Sequence, residues 1–200
     1  MNYLAHILLS GDNPEIIIGN FMADSIKGKQ YKIYPEQVQI GVLLHRHIDT
    51  FTDNHHIVRQ STQRLHKKYS HYSGVIVDIF YDHFLAKNWY DYSNIPLPLY
   101  CDNFYNYLNE FHDLLPLKVQ KFIPYMISDN WLLNYASMDG IQEVLQGMNK
   151  RTRYQSKMNL AINDLRYYYH DFESEFKIFF KDLFFYSKNE LKILSSQATN

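Results

Sequence analysis

Leu43-Leu44-His45-Arg46-His47-Ile48-Asp49-Thr50-Phe51-Thr52, residues 43–52, reads as part of an amphipathic helix. Ile40, Leu44, Ile48 and Phe51 recur every three or four positions and form one apolar stripe, and Pro35-Glu36 upstream supplies the helix start. The helix should run to about Thr52. Residues four apart stack on one side, so His45 and Asp49 fall together beside the stripe, with Thr52, where a cleft can form. His47 lies on the opposite side and reads as a packing or surface residue. Arg46 is a candidate phosphate contact.

A second stretch, Gly74-Val75-Ile76-Val77-Asp78-Ile79-Phe80-Tyr81-Asp82-His83-Phe84-Leu85, has acids interrupting a strongly apolar helix. Embedded carboxylates are costly unless paired or metal-bound, and Asp78 and Asp82, four apart, repel each other. A divalent cation, or one shared proton, resolves that conflict. A third piece is Asp24, at the end of a helix opened by Asn13-Pro14-Glu15, with Asn13 as cap. The expected metal ligands are therefore Asp24, His45, Asp49, Asp78 and Asp82, with His83 adjoining. Mixed imidazole and carboxylate donors suit Mn²⁺, Fe²⁺, Mg²⁺ or Zn²⁺, and hard oxygens without thiolates lean toward Mn²⁺ or Mg²⁺. An ion there would activate water and neutralise phosphate charge.

Working outward, seven glycines and six prolines leave few breaks, and no alternating β-branched run suggests a strand pair. The reading is an all-α, single-domain helical bundle over residues 1–190, with 191–200 as a flexible tail. Further helices are expected through Arg59, Leu65 and Tyr69, from Ser73-Gly74 towards Trp89, and over roughly 100–114, 117–137 and 139–148. Ile95-Pro96-Leu97-Pro98 reads as a connector, because its prolines block regular pairing. From Tyr154 the spacing of Met158, Ala161, Leu165, Tyr168, Phe172, Phe176, Phe179 and Leu183 predicts one long closing helix.

At 200 residues the chain suits one core, and a formal charge of −1 gives no global pull toward nucleic acid or anionic lipid. The 18 Tyr and 13 Phe therefore read as packing rather than base-stacking platforms, since 20 basic residues face 21 acidic ones. Cys101, the sole cysteine, excludes an internal disulfide or a thiolate-rich zinc site and fits a reducing, cytoplasmic setting. No stretch approaches the roughly 20 apolar residues that span a bilayer. Two literal His-Asp dipeptides, His112-Asp113 and His170-Asp171, read as decoys, the second because it lies in the long terminal helix among charged residues. His66 and His71 sit among polar neighbours.

Met1-Asn2-Tyr3-Leu4-Ala5-His6, Gly19-Asn20-Phe21-Met22-Ala23-Asp24 with Lys27-Gly28, His45-Arg46-His47-Ile48-Asp49 with Thr52-Asp53-Asn54, Asp78 with Tyr81-Asp82-His83-Phe84-Leu85 and Trp89, and Met138-Asp139 with Leu145-Gln146-Gly147-Met148 together resemble the bacterial acyl carrier protein phosphodiesterases. The likeness extends in order to about residue 175. It implies a divalent-metal-dependent hydrolase, distantly related to the HD phosphohydrolases, that cleaves the phosphodiester joining 4′-phosphopantetheine to a serine of acyl carrier protein. The acid–imidazole doublet here runs Asp82-His83, the reverse of the HD order, so the usual ligand set does not transfer directly. His6 joins the candidates as a ligand, a cap or an orienting residue.

On this reading Asp24 or His83 accepts the proton of the attacking water, and the acidic carrier protein docks on a local basic surface. Lys150-Arg151-Thr152-Arg153 with Lys157 is the densest such cluster, and Arg59, Arg64, Lys67 and Lys68 form another. Two other classes remain open at this level. An HD-type phosphohydrolase of nucleotides would keep the metal centre without a protein-docking surface. A non-enzymatic helical module would need Asp78 and Asp82 satisfied by basic groups, and only Lys87 lies near on their own helix.

Overall fold

A computed structural model describes residues 1–198, and among these no strand occurs. Helix α1 (Tyr3–Leu8) leads to α2 (Pro14–Met22), which Asn13 caps through its Oδ1 on the Glu15 and Ile16 amides. A 3₁₀ turn, Ala23–Ser25, then carries Asp24. Helix α3 (Glu36–Asn54) is followed by α4 (His56–Tyr69) and α5 (Ser73–Lys87). Helix α5 is the central element, packed against α1 and α4. Every residue from Ile76 to Ala86 except Asp78 is buried, as expected for a helix apolar all round.

Helices α2 and α3 make the closest pair in the molecule, and glycine is the reason. A Cβ on Gly19 would stand 2.2 Å from the Val38 carbonyl oxygen, and one on Gly41 would stand 2.1 Å from that of Ile16. With both side chains absent the backbones touch, which brings Asn20 of α2 within reach of His45 of α3.

The second half departs from the sequence reading in four places. Ile95–Pro98 is not only a connector: Pro96 is the N-cap of α6 (Leu97–Glu110), and Pro98 sits in its first turn. A first-turn proline sacrifices no helix hydrogen bond, so the motif starts a helix as readily as it blocks one. The 117–137 region is three short helices, α7 (Leu117–Gln120), α8 (Ile123–Ser128) and α9 (Trp131–Asn134). Pro124 begins α8 afresh, and Asn130 adopts a left-handed conformation (φ 47°) before α9.

After α10 (Met138–Arg151) the expected single closing helix is broken. The chain turns through residues 152–157, with Arg153, Tyr154 and Lys157 all at positive φ, and the Ser156, Thr152 and Asn149 side chains bond one another at 2.8 and 3.0 Å. These polar groups offer the backbone an alternative to helix, which periodicity alone does not register. A 3₁₀ turn and α11 (Ala161–Tyr167) precede α12 (Tyr169–Ala198). The segment read as a tail, 191–200, continues α12 as far as Ala198, with Leu194 in the core; its last two residues lie outside the described residues.

Helix α12 covers α3, α4 and α5. His47 donates to Glu190 at 2.5 Å and His55 to Asp182 at 3.4 Å, so His47 belongs to this packing seam. Among the described residues no helix is long and apolar enough to cross a membrane.

The glycine contact gives a direct test. Gly41→Ala should cost about 2–3 kcal/mol, because its methyl meets backbone that cannot rotate away. Urea denaturation of the variant should show a lower midpoint with an unchanged slope.

Candidate functional site

Four residues from three elements meet at one end of a cleft of about 570 Å³. His6 comes from α1, Asp24 from the 3₁₀ turn, and His45 and Asp49 from α3. The two imidazoles stack with centroids 4.1 Å apart. His6 Nε2 lies 3.3 Å from Asp49 Oδ1, and His45 Nε2 lies 3.1 Å from Asp49 Oδ2 and 3.3 Å from Asp24 Oδ1. Among the described residues, His6, His45 and Asp49 form the one group of three or more ligand-type side chains whose donor atoms all lie within 4.8 Å of one another.

Asn20 sets the orientation of both rings. It is fully buried, and its Nδ2 donates to the His6 carbonyl oxygen at 3.1 Å and to Ser10 Oγ at 2.8 Å. Its Oδ1 must therefore face the histidines, where it accepts from His6 Nδ1 at 2.9 Å and His45 Nδ1 at 3.0 Å. With both Nδ1 atoms donating to Asn20, both Nε2 atoms are turned toward Asp49, and it is these positions that a metal would take in place of a proton. Two imidazole nitrogens and a carboxylate, with Asp24 alongside, can hold a divalent transition ion.

Protonation follows from the same contacts. Burial pulls the His45 pKa down, but hydrogen bonds to Asp24 and Asp49 outweigh it and raise the value to about 9. Burial and the neighbouring His45 charge push His6 down to about 4. Asp24 is held low by its hydrogen bond from His45. Burial works to raise Asp49, but the bonds from both histidines overcome it and hold it well below the usual carboxylate range. One proton on His45 thus sits between carboxylates where a cation would otherwise supply the charge.

The structure does not bring the other expected ligands to this cluster. Asp78 lines the cleft but accepts from the α-ammonium of Met1 at 3.0 Å. Asp82 is fully buried, and its Oδ2 accepts from the Leu4 amide at 2.8 Å, so it satisfies the open N-terminus of α1 from a neighbouring helix. Burial raises its pKa to about 7 against those bonds. His83 donates from Nδ1 to the Tyr135 carbonyl at 2.7 Å and meets Tyr169 Oη at 2.8 Å, away from the cleft. Arg46 bonds the Ile26 carbonyl and lies over the Tyr31 ring. Both decoy dipeptides lie outside the cleft lining.

The cleft is also lined by α9 and α10. Arg151 reaches the cleft with its guanidinium over the Trp131 ring at 5.1 Å and against Met148 Sδ, and no carboxylate pairs with it among the described residues. Lys150 and Arg153 are exposed beside it and do not line the cleft. Asn20 was the residue that spacing missed. The available signal was a buried-type amide in the apolar run Ile16-Ile17-Ile18-Gly19-Asn20-Phe21-Met22, which needs partners from elsewhere in the fold.

The family model described as acyl carrier protein phosphodiesterase matches residues 1–183. Among curated proteins, the acyl carrier protein phosphodiesterase of Photorhabdus laumondii is 30% identical over 181 residues, covering 90% of this chain and 91% of that protein. That of Enterobacter sp. (strain 638) is 31% identical, covering 95% and 99%, and that of Escherichia coli O6:H1 is 32% identical, covering 90% and 94%. No solved structure matches the chain.

In the metal-free protein, histidine NMR titration should place His45 near 9 and His6 near 4. The His45 contribution to stability should be complete below its unfolded value of about 6.5 and be lost as pH rises through 9. His6 should act oppositely, weakening the fold as pH falls from about 6.5 toward 4.

Proposed function

The chain belongs to the acyl carrier protein phosphodiesterase family and is a hydrolase, and from that premise we propose that it cleaves the phosphodiester between 4′-phosphopantetheine and a serine of acyl carrier protein, with a divalent cation held by His6, His45 and Asp49. One observation carries this reading: a single cleft sets a cation-binding cluster against Arg151, a guanidinium without a carboxylate partner. A phosphodiester is an anion that needs both. Two imidazole donors favour Mn²⁺ or Fe²⁺ over Mg²⁺, which prefers all-oxygen surroundings.

When bound, the cation supplies a lowered water pKa and positive charge beside the phosphate. The protein's own groups divide the remaining work. Arg151, backed by Trp131, contacts the non-bridging phosphate oxygens, and Tyr3 lies against the same guanidinium. Asp24 is the exposed carboxylate of the set and accepts the proton of the attacking water. Attack at phosphorus forms the new P–O bond as the P–O bond to serine breaks; the serine oxygen takes a proton, and the phosphate departs with pantetheine. Asn20 holds both rings through the cycle. Lys150 and Arg153, flanking Arg151 at the cleft rim, contact the carrier protein surface.

Intact-protein mass spectrometry of holo-acyl carrier protein incubated with enzyme and Mn²⁺ should show loss of the whole prosthetic group and an unmodified serine. Asp49→Ala should weaken Mn²⁺ binding by about a hundredfold or more and abolish the mass change, whereas Asp78→Ala should keep metal affinity. Untouched holo-carrier protein alongside hydrolysis of a nucleotide phosphoester would instead favour the small-substrate phosphohydrolase.

Charge reversal at the rim, Lys150→Glu with Arg153→Glu, should raise KM for holo-carrier protein by about tenfold at low salt with metal affinity unchanged. The difference should shrink as ionic strength rises, since exposed charges are screened within about 10 Å at 0.1 M salt.

A further inference from the structure

We propose that the face of α10 carrying Val144, Gly147 and Met148 seats the pantetheine arm, with the absent side chain of Gly147 setting the width of that seat; this rests on the function proposed above. Residues 144, 147, 148 and 151 are spaced by three and four, so they share one helix face, and all four line the cleft. Arg151 marks the phosphate end of that face. The remaining three are uncharged and line the cleft with Trp131; Glu143 one turn before Gly147 and Asp129 before α9 also line it, as do Asp24, Asp49, Asp53 and Asp78 from the other elements. Pantetheine beyond its phosphate is uncharged, with a gem-dimethyl group, two amides and a thiol, and it matches the uncharged strip of Val144, Gly147 and Met148 that continues from Arg151. It is also the one slender part of the substrate, since the carrier protein on the serine side is a folded body that stays outside.

Gly147 supplies the more specific observation. The other glycine of α10, Gly140, is required by packing, because a Cβ there would stand 2.1 Å from the Asn134 carbonyl oxygen. At Gly147 a Cβ would meet nothing within 4 Å, and its φ does not lie in the left-handed region. A mid-helix glycine weakens a helix, and neither packing nor backbone conformation asks for one here. What its absence of side chain leaves is room on the cleft wall.

The test uses the full-length protein loaded with Mn²⁺. Gly147→Leu should melt no lower than wild type, since the position is open and leucine favours helix. Calorimetry should show its affinity for free 4′-phosphopantetheine reduced by about tenfold or more while that for inorganic phosphate stays within about twofold, and KM for holo-carrier protein should rise in parallel. Gly147→Ala should shift the same quantities in the same direction by less. Wild-type binding of 4′-phosphopantetheine no tighter than inorganic phosphate, or unchanged binding in Gly147→Leu, would overturn this inference alone if wild type still strips holo-carrier protein. A wild-type enzyme that leaves holo-carrier protein intact overturns the proposed function and this inference with it.

Discussion

One carboxamide oxygen, Asn20 Oδ1, accepts hydrogen bonds from two buried imidazoles, and the site depends on that arrangement. A free histidine ring rotates and can present either nitrogen; these two both keep Nδ1 on Asn20 and turn Nε2 the same way. The amide cannot flip without losing its donations to the His6 carbonyl and Ser10, so the orientation is held from both ends. The cost of leaving any of these buried polar atoms unpaired, about 1–3 kcal/mol each, is what makes the arrangement specific rather than one of several.

That hydrogen bond requires α2 and α3 to lie closer than side chains normally permit. Gly19 and Gly41 remove the obstruction, and α12 closes over the other side of α3. Helix α1 brings the second histidine and is anchored at its start by Asp82 from α5. The buried acid of the central helix therefore serves the centre indirectly, by holding the helix that carries His6.

Charge in the cleft is arranged in opposition. Asp24 and Asp49 draw a proton onto His45, and burial together with that charge keeps His6 neutral. In the same cleft, Arg151 has an aromatic ring and a thioether as neighbours rather than an acid. Carboxylates that attract a cation and a guanidinium left free for an anion are complementary halves of a phosphodiester site.

The amino-acid sequence by itself determined the all-α class, the starts of α2 and α3, and the pairing of His45 with Asp49, because each depends on spacing within one helix or on a local cap. It also carried the family, through motifs read in order. Asp78, Asp82 and His83 were legible as unusual, buried polar groups, but their partners lie on α1, Met1, Tyr135 and Tyr169, which no spacing along α5 can reveal. The breaks near residues 154 and 168 were hidden because core-facing periodicity continues through a turn whose own polar side chains bond one another. Only the tertiary structure decided that His6 stacks on His45, that Asn20 aims them both and that Arg151 lines the same cleft. Hydrogen bonds and charge act over a few ångströms of space, and helix packing, rather than separation along the chain, sets those distances.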